Sequence, residues 1–205
     1  VKENIRHSKA FLGAISIGVR KEAAKFLSCR EGRLIDIGCG NGLLFKEIGN
    51  DRLVYYGLDR SKDLLEESKS LIGSNRVLGI HLIRGDMYSL CFKVGAFDFV
   101  TCLNTTMNLN DIGAIDRLFV GCKTLLKNSA RFIVDFRNIS NPIMRWRYLF
   151  NSYLRAFTPR AYSLREIEET LTETGLEIEE RKRIRLKWVP MTVAYLLIIK
   201  KKTNE

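Results

Sequence analysis

Residues 34–42 read Leu-Ile-Asp-Ile-Gly-Cys-Gly-Asn-Gly, and a helical pattern over 43–49 follows at once. Few folds accommodate a buried strand that breaks into alternating glycines and then a helix. Glycine there lets the backbone turn sharply and come close to a ligand. The alternation continues down the chain. Apolar runs predict strands at Arg33–Ile37, Leu53–Leu58, Ile80–Ile83, Phe97–Leu103 and Ala130–Phe136. Apolar residues near 3.6 spacing predict helices between them: Leu43–Gly49, a second from the Ser61 cap to about Ile72, and Ile112–Leu126. Ser163–Thr174 reads as a further helix, with Ser163 as N-cap, Glu166 as its capping-box partner and Gly175 as its stop. Ile178–Val189 and Thr192–Lys200 read as two last strands, joined near Pro190 as a hairpin.

Strands separated by helices make a parallel sheet covered on both faces. Right-handed crossovers then wind it outward in two directions. The expected fold class is therefore α/β: a Rossmann-like, doubly wound sheet of seven strands, mostly parallel, with a C-terminal antiparallel hairpin. One domain over residues 1–205 accommodates it, with a helical cap at 1–30, a core at 31–135, an insertion at 137–160, and a helix plus hairpin at 163–200. Ligands of such sheets sit at the carboxyl ends of the strands, where strand order reverses.

A chain of 205 residues with 46% apolar side chains buries a real core, which excludes a disordered tail or a disulfide-stapled mini-protein. Its net charge of +11 is uneven: +5 over residues 1–30, zero over 31–135 and +6 over 136–205. A neutral middle between basic flanks is not the coat of a general nucleic-acid binder. The longest apolar run, Val193–Ile199, is far short of the roughly 20 residues a membrane span requires. Five cysteines without CxxC spacing, and no signal-peptide pattern, point to reduced thiols and a cytoplasmic location. Neither histidine, His7 nor His81, has a ligand-spaced partner, so no metal is expected.

The glycines fall at 38, 40 and 42. A dinucleotide fingerprint would need one at 43, where leucine stands. Asp36, two residues before the first glycine, suits a ligand with an ammonium group. Asp59, at the tip of the second strand, can accept from both hydroxyls of a ribose. Asp86, at the tip of the third, can read a base. Asp98 starts its strand, away from the carboxyl ends, and reads as structural.

Asp36–Gly42, Asp59, Gly85-Asp86-Met87 and the run Phe97–Leu103 together resemble a class I S-adenosylmethionine-dependent methyltransferase. The resemblance covers residues 31–135 well and 163–200 in outline. It implies S-adenosylmethionine as cofactor and S-adenosylhomocysteine as product. It also implies that Gly38 and Gly40, with Cys39 between them, line the methionine and ribose, and that Asp36 holds the amino group. Asp59 would bind the ribose hydroxyls and Arg60 would flank the adenine. Asp86 and Met87 would meet the adenine amino group and ring, and the backbone at Leu103 and Asn104 would touch the cofactor amino group.

The implied reaction is an in-line displacement, in which the protein aligns nucleophile, methyl and sulfur and excludes water. A base is needed only where the nucleophile arrives protonated. His7, in the basic N-terminal segment, is the one candidate, and His81 reads as structural. Asn104, Thr105 and Asn108 follow the fourth strand, near the expected methyl. The stretch 137–160 is rich in arginine and aromatics and holds no acid. It reads as a substrate lid, with Arg137, Arg145, Trp146 and Tyr153 as substrate contacts alongside Asn108. The expected acceptor is a small molecule, anionic or aromatic. Other readings stay open: an RNA methyltransferase whose arginines track phosphates while aromatics stack bases, an interfacial helix over a membrane for a lipid or quinone, and a cofactor-binding but catalytically silent partner subunit.

Overall fold

In the computed structural model, which describes residues 2–72, 78–109, 111–146, 148, 160–187 and 189–202 (backbone alone for 2–11 and 190), the apolar runs become one sheet. Its strands are β1 Gly32–Ile37, β2 Leu53–Asp59, β3 Gly79–Arg84, β4 Phe97–Cys102, β5 Leu126–Arg137, β6 Leu176–Leu186 and β7 Val189–Lys201. Their spatial order is β3-β2-β1-β4-β5-β7-β6. β1 to β5 run parallel, and β7 pairs antiparallel with β5 and β6. The helices are α1 Lys2–Leu27, α2 Leu43–Ile48, α3 Lys62–Lys69, α4 Ile112–Leu125 and α5 Leu164–Glu173.

Successive side chains of a strand point to opposite faces, and here both faces are buried. Ile35, Ile37, Val100, Phe132 and Val134 meet Ile115, Leu118 and Phe119 of α4 and Ile167 and Leu171 of α5. On the other face Leu34, Tyr55, Phe99 and Ile133 lie with Ile15, Val19, Ala23 and Leu27 of α1 and Leu44, Phe45 and Ile48 of α2. The α1 residues recur every fourth position, the stripe an amphipathic helix buries. At roughly 1.5–3 kcal/mol per buried large apolar side chain, these two layers hold the sheet. The expected helical cap is thus a full helical layer.

The helix punctuation follows local chemistry. Ser61 accepts from the Leu64 amide at 3.3 Å, and Ser163 and Glu166 complete a capping box. Gly175 closes α5 at φ +68. Two boundaries differ from expectation. β5 starts at Leu126, directly after α4, because the exposed polar run Lys127-Asn128-Ser129 hides a paired strand. The hairpin reverses between Leu186 and Val189, which pair. Pro190 therefore lies inside β7 rather than in the turn, close to the strand start, where a missing N–H is tolerated.

Beyond β5, Asn138 bridges to Tyr162 and a helical turn follows at 142–146. Met144 and Tyr148 are buried in the layer under α1. The described part of the 137–160 insertion therefore packs on that face of the sheet. No described helix is long and apolar enough to cross a membrane. Cys39, Cys102 and Cys122 are buried and Cys29 and Cys91 exposed, all as free thiols.

Candidate active site

The carboxyl ends of β1 to β4 open on a cavity of about 660 Å³, at the point between β1 and β4 where strand order reverses. Its first wall is the turn after β1. Gly38 adopts φ +74, and a Cβ there would stand 2.5 Å from Thr105 Oγ1. Only glycine tolerates both the left-handed backbone and the close approach. Gly42, at φ +76, would drive a Cβ to 2.2 Å from the Phe45 ring that anchors α2.

Asp36 is the penultimate residue of β1, and Thr101 holds the same place in β4. The parallel register sets the two side by side. The Asp36 carboxylate is almost fully buried. It accepts from Thr101 Oγ1 and from the Tyr55 hydroxyl, both at 2.7 Å. Burial pushes its pKa from the ordinary 3.8 up to about 6, against the opposing pull of the Thr101 and Tyr55 hydrogen bonds. At neutral pH it is thus an anion, paired with no cation among the described residues, at the wall of the cavity.

Asp59, at the end of β2, is aimed by the backbone. It accepts from the Gly40 amide at 2.8 Å and the Ser61 amide at 2.9 Å. A carboxylate has about four acceptor sites, so the group retains capacity toward the cavity. Asp86, past β3, accepts from the Tyr88 amide at 2.9 Å in an Asx-type turn and still lines the cavity with Met87. After β4 comes Asn104, the one non-glycine residue with positive φ (+56) among those described. Its amide donates to Asp135 Oδ1 at 2.5 Å, and its Oδ1 accepts from Arg137 Nη2 at 2.8 Å.

All ten residues expected to meet the cofactor line this one cavity: Asp36, Gly38, Cys39, Gly40, Asp59, Arg60, Asp86, Met87, Leu103 and Asn104. Asn108 joins them. Three of the other expected substrate contacts, Arg137, Arg145 and Trp146, do not line it. Arg137 does not reach the cavity: it is 1% exposed, and its guanidinium is paired with the buried Asp135 carboxylate. Arg145 and Trp146 are exposed on the 142–146 turn and are not part of the lining. Tyr153 lies outside the described residues, as do the His7 side chain and half of the predicted lid. His81 sits on β3, stacked on Tyr56 with ring centroids 4.7 Å apart. Asp98 accepts from the Arg33 amide and pairs with Lys127, tying strand starts together.

The cavity also holds residues that the sequence did not single out. Tyr55 and Thr101 brace Asp36 from behind. Arg20 of α1 reaches the wall beside the glycine turn, paired with Glu47 at 2.8 Å. Arg117 of α4 lines the opposite part, its guanidinium 5.5 Å from the Tyr88 ring centroid. Thr101 was legible from matching strand ends; the arginines sit on helices whose rotation only packing fixes. A second, more open groove of about 800 Å³ runs between α5 and β6. Several of its charges pair with one another or with close neighbours, as in Arg181–Glu168, Arg131–Glu179 and Lys200–Glu177, and it shares no lining residue with the cavity at the strand ends. Among the described residues no cluster of His, Cys, Asp and Glu could hold a metal ion.

A family model described as a methyltransferase domain matches residues 35–134. The demethylmenaquinone methyltransferase of Listeria welshimeri is 26% identical over 145 residues, covering 68% of this chain and 59% of that protein. The chain thus spans about three-fifths of the length of that curated relative. A crystal structure of a methyltransferase from Methanosarcina mazei superposes with a TM-score of 0.71 at 18% identity, covering 85% of this chain and 94% of the other. The magnesium protoporphyrin IX methyltransferase of Synechocystis, solved with S-adenosylhomocysteine bound, gives 0.72 at 15% identity, covering 93% and 86%. The two structures establish a shared fold.

Proposed function

We propose that this chain, whose residues 35–134 match a methyltransferase-domain model, transfers a methyl group from S-adenosylmethionine to a small-molecule acceptor, aromatic or anionic. One observation carries the reading: three carboxylates end three successive parts of one cavity wall, and each is held as one part of that cofactor requires. Asp36, a buried anion without a counter-charge among the described residues, takes the ammonium group. Asp59, fixed by two backbone amides, takes the ribose hydroxyls. Asp86 and Met87 take the adenine edge, with Arg60 flanking the ring. When bound, the cofactor supplies a methyl group on a cationic sulfur, activated for displacement by an acceptor lone pair.

The chain's own residues orient and enclose. The Gly38 turn brings the backbone against the ligand, and the Leu103–Asn104 backbone fixes the amino end opposite Asp36. Asn108 and Thr105 stand where an acceptor would enter. Alignment of this kind is worth more than any single proton transfer in a displacement whose leaving group departs neutral. Arg20 and Arg117, with Tyr88 beside the latter, give the wall the cations and the ring that suit an anionic or aromatic acceptor. The name of the Listeria relative points toward the same class. On the β6–β7 side, Arg181, Lys182 and Lys200 are paired with glutamates within the chain, which favours the small molecule over RNA.

The test is transfer of radiolabelled methyl from S-adenosylmethionine into two pools, one of small aromatic and anionic metabolites and one of total RNA. Label in a small-molecule fraction, lost in Asp59→Ala, is the expected result. Label in RNA alone would overturn the acceptor class. Binding of the cofactor without transfer to either pool would favour the silent subunit.

A further inference from the structure

Asp135 and Arg137 end β5 as a fully buried ion pair, behind the wall of the cavity. Such a pair is expensive. Removing two charges from water costs several kcal/mol each in real proteins, and apolar replacements are often as stable. The cost is not fully compensated here, because the buried Arg137 Nε has no hydrogen-bond partner among the described residues. What the pair does instead is hold two other elements. Arg137 Nη2 donates to Asn104 Oδ1 at 2.8 Å and to Ser16 Oγ of α1 at 3.0 Å. Asp135 Oδ1 takes the Asn104 amide, and the Asp135 backbone carbonyl takes Thr106 Oγ1 at 2.7 Å. Asn104 Nδ2 in turn donates to the Ser16 carbonyl at 3.5 Å.

Three pieces of chain distant in sequence meet on one guanidinium. Asn104 is the non-glycine left-handed residue of the cavity wall among those described, a conformation that costs energy for any residue with a Cβ. Ser16 lies one helical turn before Arg20, on the same face of α1. Arg20 is the α1 residue that lines the cavity. We propose that Arg137 is a positioning residue: braced by Asp135, it fixes the Asn104 turn and the seating of α1 together, so that the wall after β4 and the wall from α1 form as one unit around the cofactor. The idea rests on the cofactor reading above. Arg137 touches no ligand; it acts through Asn104 and Ser16.

Arg137→Lys separates this role from a merely structural one. Lysine keeps the charge facing Asp135, but its single ammonium cannot reproduce the fork that reaches both partners. Ser16→Ala removes only the bond from Arg137 to the helix and leaves the Ser16 carbonyl to Asn104 Nδ2. The measurements are calorimetric titration with S-adenosylhomocysteine, thermal unfolding, and hydrogen exchange of the amides of residues 14–20 with and without that ligand. Wild type is expected to bind and to gain protection over 14–20. Arg137→Lys is expected to melt near wild type but bind about tenfold more weakly, the equivalent of one charge-assisted hydrogen bond. Ser16→Ala is expected to bind more weakly and to lose most of the added protection. Wild-type affinity in either variant would overturn the proposal. A wild-type protein that does not bind S-adenosylhomocysteine would instead overturn the cofactor reading, and the proposal with it. Should Arg137→Lys fail to fold, Ser16→Ala alone decides.

Discussion

Asp36→Asn should make the free protein more stable and its cofactor site weaker. Burial lifts the Asp36 pKa from 3.8 to about 6. Holding that carboxylate ionised in the folded state therefore costs about 3 kcal/mol. The sign follows from proton counting. Between the two pKa values the folded protein binds more protons than the unfolded chain, so the penalty is absent below 3.8, grows as pH rises, and is complete above about 6. Asparagine has the same shape, keeps an acceptor and carries no charge. Its amide can donate to one hydroxyl oxygen while accepting from the other. For a chain of this size 1 kcal/mol is worth about 2–4 °C. The difference in melting temperature between Asp36→Asn and wild type should therefore widen by about 5–10 °C from pH 4 to pH 7.5.

The cofactor's ammonium group restores what the free site lacks, so binding should release a proton near pH 6. Wild-type affinity for S-adenosylmethionine should rise nearly tenfold from about pH 5 to about pH 7, while the ligand's α-amino group stays protonated. In Asp36→Asn the affinity should be lower and flat over that range. Paired melts across pH and titrations in two buffers of different ionisation enthalpy read both effects. A variant less stable than wild type at pH 7.5, or a wild-type affinity independent of pH, would refute the reasoning at Asp36.

Asp59→Ala should weaken S-adenosylhomocysteine binding more than a hundredfold, since two charge-assisted hydrogen bonds at about 1.5–3 kcal/mol each are lost; calorimetry reads it, and a change under tenfold would place the ribose elsewhere. Gly38→Ala forces a Cβ to 2.5 Å from Thr105 Oγ1 at φ +74. It should cost about 1–3 kcal/mol in stability as well as cofactor affinity, measured by denaturant melts; a neutral result would mean the turn is free to relax. A thiol reagent should titrate Cys29 and Cys91 in the folded protein and all five cysteines in denaturant, because Cys39, Cys102 and Cys122 are buried with their pKa values raised by burial. Fast reaction of a third cysteine would show that one of these walls opens.

What the sequence discloses is set by period and by strand ends. Phe99-Val100 and Phe132-Ile133-Val134 announce central strands because successive residues are apolar and buried on opposite faces, and the acids at 36, 59 and 86 mark carboxyl ends that a doubly wound sheet must bring together. Local caps such as Ser163 with Glu166 are equally legible, since their partners lie within one turn. Long-range partnerships are not. Nothing in the spacing shows that Arg137 turns inward to Asp135, Asn104 and Ser16, because an arginine at a strand's carboxyl end reads as a substrate contact until the helix above it is placed. The same blindness hid Arg20, whose rotation depends on how the stripe Ile15, Val19, Ala23 and Leu27 seats on the sheet. Pro190 misled for a different reason: proline is a turn residue by habit, yet a two-residue reversal just before it leaves it inside β7.

The central claim is that the cavity at the ends of β1 to β4 is built for S-adenosylmethionine. Calorimetric titration of the wild-type protein with S-adenosylhomocysteine, and separately with NAD, tests it most directly. Saturable one-to-one binding of S-adenosylhomocysteine, abolished in Asp59→Ala, with no heat from NAD, is the predicted result. Binding of NAD alone, or of neither, would contradict the assignment at the glycine turn where it begins.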